Sequence, residues 1–534
     1  MRPAGRGRDA GRVAGATPPC RDARLPATAT RRAAVPVGAE AVGGADGDGR
    51  DAADRVVATG VQPAVVREVS AVSDIGRRAI VMGGSMAGVL AARVLAESYG
   101  EVLVVDRDEL LGVRGPRRGA PHTVHAHGLH ARGHLNMEEL FPGITDELTA
   151  AGVPTGDLGE MRWFFNARRI LPARTGLVSV TAPRPVLEHH VRTRVAGLPN
   201  VRFLEQHDVL GLLSTADRQR VVGVRVCARA DGAEPQELDA DLVVDATGRG
   251  SRTPAWLAEL GYQRPPEERV KVGLAYTTRH YRMRPEMFDG VQSINPVASP
   301  AHPRGAFFGQ VGRDLCILSL TGVLGDHPPT DPEGFLAFVR SLPVPDVYDA
   351  VHDAEPLDDP VSFGFPASVR RRYERLTRLP DRLLVMGDAV CSFNPVYGQG
   401  MSVASIEALT LREHLRRGGP PESLPFMADM SRVIDTPWDI SAGGDLDFPG
   451  VQGRRTLMVR VGNAYMARVQ YAATRDARVT EGFMRVAGLI DPPQALMRPA
   501  MLLRVLRHAP RRPAAPPAAS APAPTAGTAA PPAA

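Results

Sequence analysis

The sequence predicts an α/β fold, α+β overall, in which a Rossmann-like βαβ domain carries an inserted mixed or antiparallel sheet and a helical C-terminal region. Three observations predict it. An apolar strand runs through glycines into a helix near residue 77. A second strand, acidic turn and glycine-rich helix start stand near residue 387. Between about residues 255 and 377 the segments VGLAYTTRHYR, GAFFGQV and LCILSLTG read as strands of a separate sheet.

The first element is RRAIVMGG, a strand into glycines, then the helix SMAGVLAARVLAESYG and the strand EVLVVDRD. In GGSMAG, Gly83 supplies the tight turn and Gly84 continues it. Ser85 stands where the backbone must approach a pyrophosphate, Met86 and Ala87 open the helix, and Gly88 allows close helix-to-strand packing. Asp106, followed by Arg107, ends the next strand at the distance a ribose hydroxyl requires. This is an FAD/NAD(P)-binding unit, because helix-start amides hold phosphate. A bare turn before a helix is the alternative that the acidic residue argues against.

Next, RPVLEHHVRTRVAGL has helical spacing and VRFLEQ follows as a strand. Residues 208 to 246 alternate like a small antiparallel meander ending in DLVVDATG. After the inserted sheet, LLVMGDA returns to the first fold. The expected division is a disordered leader at 1–76, a discontinuous dinucleotide domain at 77–254 and 378–420, and a substrate sheet at 255–377. A helical region at 421–508 and a disordered Ala/Pro tail at 509–534 complete it. PPQALMRPAMLLRVLRH is an amphipathic end, with Arg498, Arg504 and Arg507 among apolar residues, expected to pack against the dinucleotide domain.

The 534 residues include 64 Lys+Arg and 59 Asp+Glu, a balance spread along the chain that does not point to nucleic acid. Lys271 is the one lysine, which reads as coding bias. Cys20, Cys227, Cys316 and Cys391 are far apart, without disulfide or zinc spacing. No run is long and apolar enough for a transmembrane segment or a secretory signal, so a cytoplasmic protein is expected.

The stretch LLVMGDAVCSFNPVYGQGMSVASIEALTLREHL, with DLVVDATGRGSRTPAWLAELGY, resembles the FAD-dependent monooxygenases with the para-hydroxybenzoate hydroxylase type of fold, closest to bacterial flavin epoxidases and hydroxylases. The resemblance spans about residues 77 to 508. It implies that Gly387 and Asp388 meet the ribityl chain of FAD. It also implies that Pro395, Gly398, Gln399, Gly400 and Met401 bring helix amides to the pyrimidine end of the flavin, where a helix N-terminus stabilises negative charge. Arg184 matches a family arginine near the cofactor, although a solvated arginine at a helix start is the plain alternative. Thr247 and Gly248 stand before Ser251 and Arg252 where the family's aromatic hydroxylases have an Asp-Gly pair, which puts nicotinamide use in question. There is no second glycine fingerprint after a strand and no WxWxIP halogenase signature.

His122, His125, His127, His130 and His134 crowd one loop. In the resembling family this loop folds toward the flavin, with an arginine, here Arg118, beside it. The histidines then contact flavin or substrate, serve as ordinary loop residues, or bind metal; their spacing matches no metal signature. The implied activity is hydroxylation or epoxidation of a small organic substrate, of secondary-metabolite type, by dioxygen through a flavin hydroperoxide. NAD(P)H as a transient reductant or a partner reductase supplies electrons. No nucleophile or catalytic acid is demanded, since the cofactor carries the chemistry. Trp256, Tyr276, Tyr281, Phe307 and Phe308 are the expected roof of the substrate cavity. Two rivals are a flavin-dependent reductase of carbon double bonds, resembling geranylgeranyl reductases, and a non-catalytic flavin-binding redox sensor or docking protein.

Overall fold

The run AIVM is apolar at every position, which suits a strand covered on both faces. In the computed structural model, which describes residues 75–508, it lies in β1 (Gly76–Met82), the middle strand of a five-stranded sheet. α1 (Met86–Leu95) and β2 (Tyr99–Val105) complete the expected βαβ unit. α2 (Arg184–Ala196), β3 (Val201–Leu204), β4 (Leu242–Asp245) and β5 (Leu383–Val385) follow. Sheet order is β5-β4-β1-β2-β3, and every neighbouring pair is parallel. The readings of residues 1–74 and 509–534 lie outside the described residues, and β1 begins one residue before the expected boundary.

The register places the site. Met82 pairs with Asp245, and Asp245 with Val385, so the turns after β1, β4 and β5 leave the sheet side by side. Ligands of open parallel sheets bind at this edge. DLVVD, read above as the end of the meander, is instead β4, parallel between β1 and β5. All four residues of β4 are buried, so it has no solvent face to give a meander. The meander itself is His207–Ser214, Val221–Ala228 and Gln236–Asp239.

The second sheet has seven strands in the order Val361–Phe365, Leu274–Arg282, Leu315–Gly322, Arg304–Gln310, Ser293–Val297, Arg162–Phe165 and Arg168–Arg169. The last two come from upstream of residues 255–377, and the pairing of Arg162–Phe165 with Ser293–Val297 is the sheet's parallel one. Strands this short carry no readable period. Side chains alternate across a strand, so Tyr276 and Thr278 share a face. Opposite them on neighbouring strands stand Phe363 and Ser319, and Phe307 faces Ser319 from the other side. Of the aromatic residues expected as a roof, Tyr276 and Phe307 are on this face. Tyr281 and Phe308 point into the opposite core, where Phe308 stacks on Phe288 at 4.6 Å, and Trp256 is buried in the main core.

α3 (Gly400–Leu415) buries Ala404, Ala408 and Leu411 in the same core as α1. α4 (Ser423–Asp445) follows, then α5 (Leu457–Ala473), α6 (Ala477–Ala487) and α7 (Pro499–His508). The amphipathic end is therefore split by Pro499, which starts α7 after a short turn. Val505 of α7 packs with Val469 and Val479 in a third core that also takes Leu158, Met161 and Ile170. Among the described residues no helix is long and apolar enough to cross a membrane.

Candidate functional site

Gly83 has φ +99°, and a Cβ there would sit 2.5 Å from the Ala246 carbonyl oxygen on the neighbouring turn. A Cβ on Gly88 would run into the Gly83 carbonyl oxygen. Only glycine fits either place. Asp106 accepts the Gly84 N–H at 2.6 Å and the Asp108 N–H at 2.8 Å. Burial raises its carboxyl above the ordinary range, against the pull of those amides and of Arg117. α1 starts without a side-chain cap, leaving first-turn amides for a ligand.

Ser85 does not cap α1 because its hydroxyl turns elsewhere. It donates to Glu188 Oε1 at 2.7 Å and accepts from Arg184 Nη2 at 3.1 Å. Arg184 Nε also donates to Glu188 Oε1 at 2.9 Å, and its Nη1 donates to His122 Nε2 at 2.8 Å. Arg117, also buried, donates to Glu188 Oε2 and to Asp108, both at 3.2 Å. Ser85 and Arg184 are thus brought together by a residue the sequence reading missed. Its signal was the four-residue spacing of Arg184 and Glu188 on one helix. Arg118, named above, lies exposed, and its neighbour Arg117 takes the buried place. Arg107 is exposed too, 3.9 Å from Asp208.

The second motif meets the first directly. Gly387 has φ +64°, and a Cβ there would approach Ala87 Cβ to 2.7 Å. The Gly387 N–H donates to Glu407 of α3 at 2.6 Å, and burial pushes the Glu407 carboxyl up to about 8. Asp388 is accessible yet hemmed in, a concave position; desolvation raises its carboxyl against the opposing charges of Arg184, Arg249 and Arg371. Pro395 begins a short turn that Asn394 caps at the Val396 N–H. Gly398 is left-handed at φ +63° and faces His130, whose Nε2 donates to the Tyr397 carbonyl at 2.8 Å. Gln399, the N-cap residue of α3, makes no side-chain cap, and its buried Oε1 has no hydrogen-bond partner among the described residues. Gly400 faces open space and Met401 is buried. Uncapped amides, Cβ-free turns and the unpartnered Gln399 oxygen fit a flavin dinucleotide.

The family's Asp-Gly position is Thr247 and Gly248 here, and Thr247 serves the fold. Buried Asp245 accepts from the Thr247, Ser251 and Thr253 hydroxyls at 2.6, 2.5 and 2.6 Å and from the Thr247 N–H at 2.9 Å.

The histidine loop spans the gap between the two sheets. His125 Nδ1 lies 2.8 Å from Thr278 Oγ1, which lies 2.5 Å from Ser319 Oγ, and the Ala126 N–H donates to Ser319 at 3.1 Å. His125 sits edge-on to Tyr276, with ring centroids 4.4 Å apart. Burial lowers His122, His125 and His127 to about 2, 4 and 3, with Arg184 adding to the effect on His122 and His127, so all three are neutral at pH 7. His134 turns away to Thr145. Among the described residues no group of three or more His, Cys, Asp or Glu side chains converges as a metal site.

A parallel sheet whose first and last strands present two touching glycine turns, with a second sheet above, defines a flavin-binding oxidoreductase. Residues 77–417 match the model of the FAD binding domain family, and the chain belongs to that family. The resemblance to FAD-dependent monooxygenases of the para-hydroxybenzoate hydroxylase type holds at this level. Protein Rv3254 of Mycobacterium tuberculosis is 32% identical over 448 residues, covering 80% of this chain and 93% of that one. The flavin-dependent brominase Bmp2 shares the fold at TM-score 0.57 and 14% identity, over 80% of this chain and 99% of its own. A flavoprotein/dehydrogenase from Cytophaga hutchinsonii gives 0.58 and 14%, over 80% and 97%. PqsL from Pseudomonas aeruginosa, described as a probable FAD-dependent monooxygenase, gives 0.51 and 17%, over 76% and 98%.

Proposed function

We propose that this oxidoreductase is an FAD-dependent monooxygenase, a hydroxylase or epoxidase of a small organic molecule. The observation that carries the reading is one sheet face with Tyr276, Phe307 and Phe363 on it and the neutral His122, His125 and His127 packed beside it. Bound FAD supplies the activation of dioxygen. In this reading Asp106 holds the adenosine ribose, the α1 amides take the pyrophosphate, and Asp388 takes the ribityl chain. Residues 395 to 401 and the start of α3 would hold the pyrimidine end, where helix amides would favour negative charge. The sheet face orients an apolar substrate and keeps water away from the reacting atoms. Neutral histidines suit that task, since a charged ring would draw water in. NAD(P)H or a partner reductase would deliver the electrons.

Mass spectrometry of products formed from the reduced holoprotein under labelled dioxygen tests this. Incorporation of one labelled oxygen atom per product is the expected result. Product formed equally well without dioxygen would replace the reading with double-bond reduction.

A further inference from the structure

The six large apolar side chains of the described residues that are more than half exposed all lie in α5, α7 and the turn before α7. They are Leu457 (78%), Met458 (79%), Val461 (56%), Met497 (62%), Leu503 (69%) and Leu506 (55%). In α5 they continue a stripe that is covered further along. Met458 and Val469, and likewise Val461 and Ala472, are eleven residues apart, about three helical turns, and Val469 and Ala472 are fully buried. The first turns of α5 thus present an uncovered stretch of the face that its last turns pack inward.

The two helices are held side by side. Tyr465 donates to the Leu496 carbonyl at 2.6 Å and Arg504 pairs with Asp476 at 2.9 Å, so both run in the same direction. Their charge is one-sided. Residues 448 to 475 and 492 to 534 contain no Asp or Glu. Arg454, Arg460, Arg468 and Arg507 are exposed and make no salt bridge to an acidic side chain among the described residues.

We propose that α5 and α7 form a docking surface for an anionic lipid bilayer, with the apolar side chains entering the headgroup boundary and the arginines meeting lipid phosphates. Charge complementarity selects this occupant. A second copy would set arginines against arginines, and the Ala/Pro tail brings Arg511 and Arg512 but no acid. The contact lies flat on the membrane and goes beyond the oxygenase reading, since binding needs no turnover.

Flotation of the full-length holoprotein with phosphatidylcholine vesicles, with and without phosphatidylglycerol, tests it. The protein should float with the anionic vesicles, stay behind with neutral ones, and be released by salt. Arg460→Gln and Arg468→Gln should each weaken partitioning about fivefold. Leu457→Asp with Met458→Asp, or Leu503→Asp with Leu506→Asp, should abolish flotation with FAD content unchanged. The proposal is overturned if the wild type ignores anionic vesicles or if the Asp variants float as well as it does. It is also overturned if the wild type is a dimer that those variants convert to monomer, which would assign the surface to a second copy.

Discussion

Glu188→Gln removes one charge from the network beneath the first fingerprint while keeping the side chain's shape. Burial alone would raise this carboxyl, yet Arg184 and Arg117, with the Ser85 hydroxyl, hold it at about 2 against an ordinary 4.5. At about 1.36 kcal/mol per pH unit, that gap is worth about 3 kcal/mol. The same figure follows from the cost of removing one partner of a buried ion pair, about 3–5 kcal/mol. At 4% side-chain exposure Glu188 has little solvent to screen it. Its folded pKa lies below its unfolded one, so the stability is complete above pH 4.5 and disappears as pH falls toward 2. Denaturant unfolding of the holoprotein, followed by flavin fluorescence, should show the variant less stable by about 3 kcal/mol at pH 7 and drawing level with wild type only near pH 2. A variant within about 1 kcal/mol of wild type at pH 7, with an unchanged acid slope, would refute the reasoning.

Asp106→Ala should weaken FAD binding about 10- to 100-fold, the worth of hydrogen bonds to a charged group, with loosening of the Gly84 turn included; unchanged affinity in a fluorescence titration would remove Asp106 from the site. Gly88→Ala drives a Cβ into the Gly83 carbonyl and should leave little soluble, FAD-loaded protein. Normal yield and melting temperature would show that the turn can shift. His125, held at about 4 by burial against an ordinary 6.5, stays neutral in the fold while the unfolded chain takes a proton. Stability is therefore complete above pH 6.5 and declines as pH falls toward 4, by about 2 kcal/mol at pH 5. His125→Gln should flatten the slope of unfolding free energy between pH 6.5 and 5 by one proton.

The βαβ unit and the strand–turn–helix of α3 were legible because each is local, with a period, a glycine turn and an acidic residue at a fixed distance. Gly83, Gly88 and Gly387 could be assigned for the same reason: backbone geometry admits nothing else there. Which of two adjacent arginines is buried was not legible, because Arg117 and Arg118 differ only in what a distant helix offers them, and Glu188 of that helix bonds Arg117 and not Arg118. The strands at 162–169 and the place of β4 escaped for a related reason. Their partners are remote in sequence, and pairing, not propensity, makes them strands. For the aromatic residues of the second sheet, a strand's alternation separates Tyr276 from Tyr281, but does not tell which of the two faces packs against the histidine loop.

The sheet order has a consequence for how the protein is made. β1 is made early in the folded part, but its neighbour β4, and β5 beyond it, follow much later, and the second glycine turn presses on Ala87 only after residue 387 exists. A chain still on the ribosome can fold the βαβ unit and yet lack the Asp388 turn and the start of α3. Non-local pairing of this kind is slow and leaves apolar edges open in the meantime. Flavin supply should therefore matter most after synthesis of α3, and truncations that stop before residue 401 should yield protein without cofactor, however complete the fingerprint they contain.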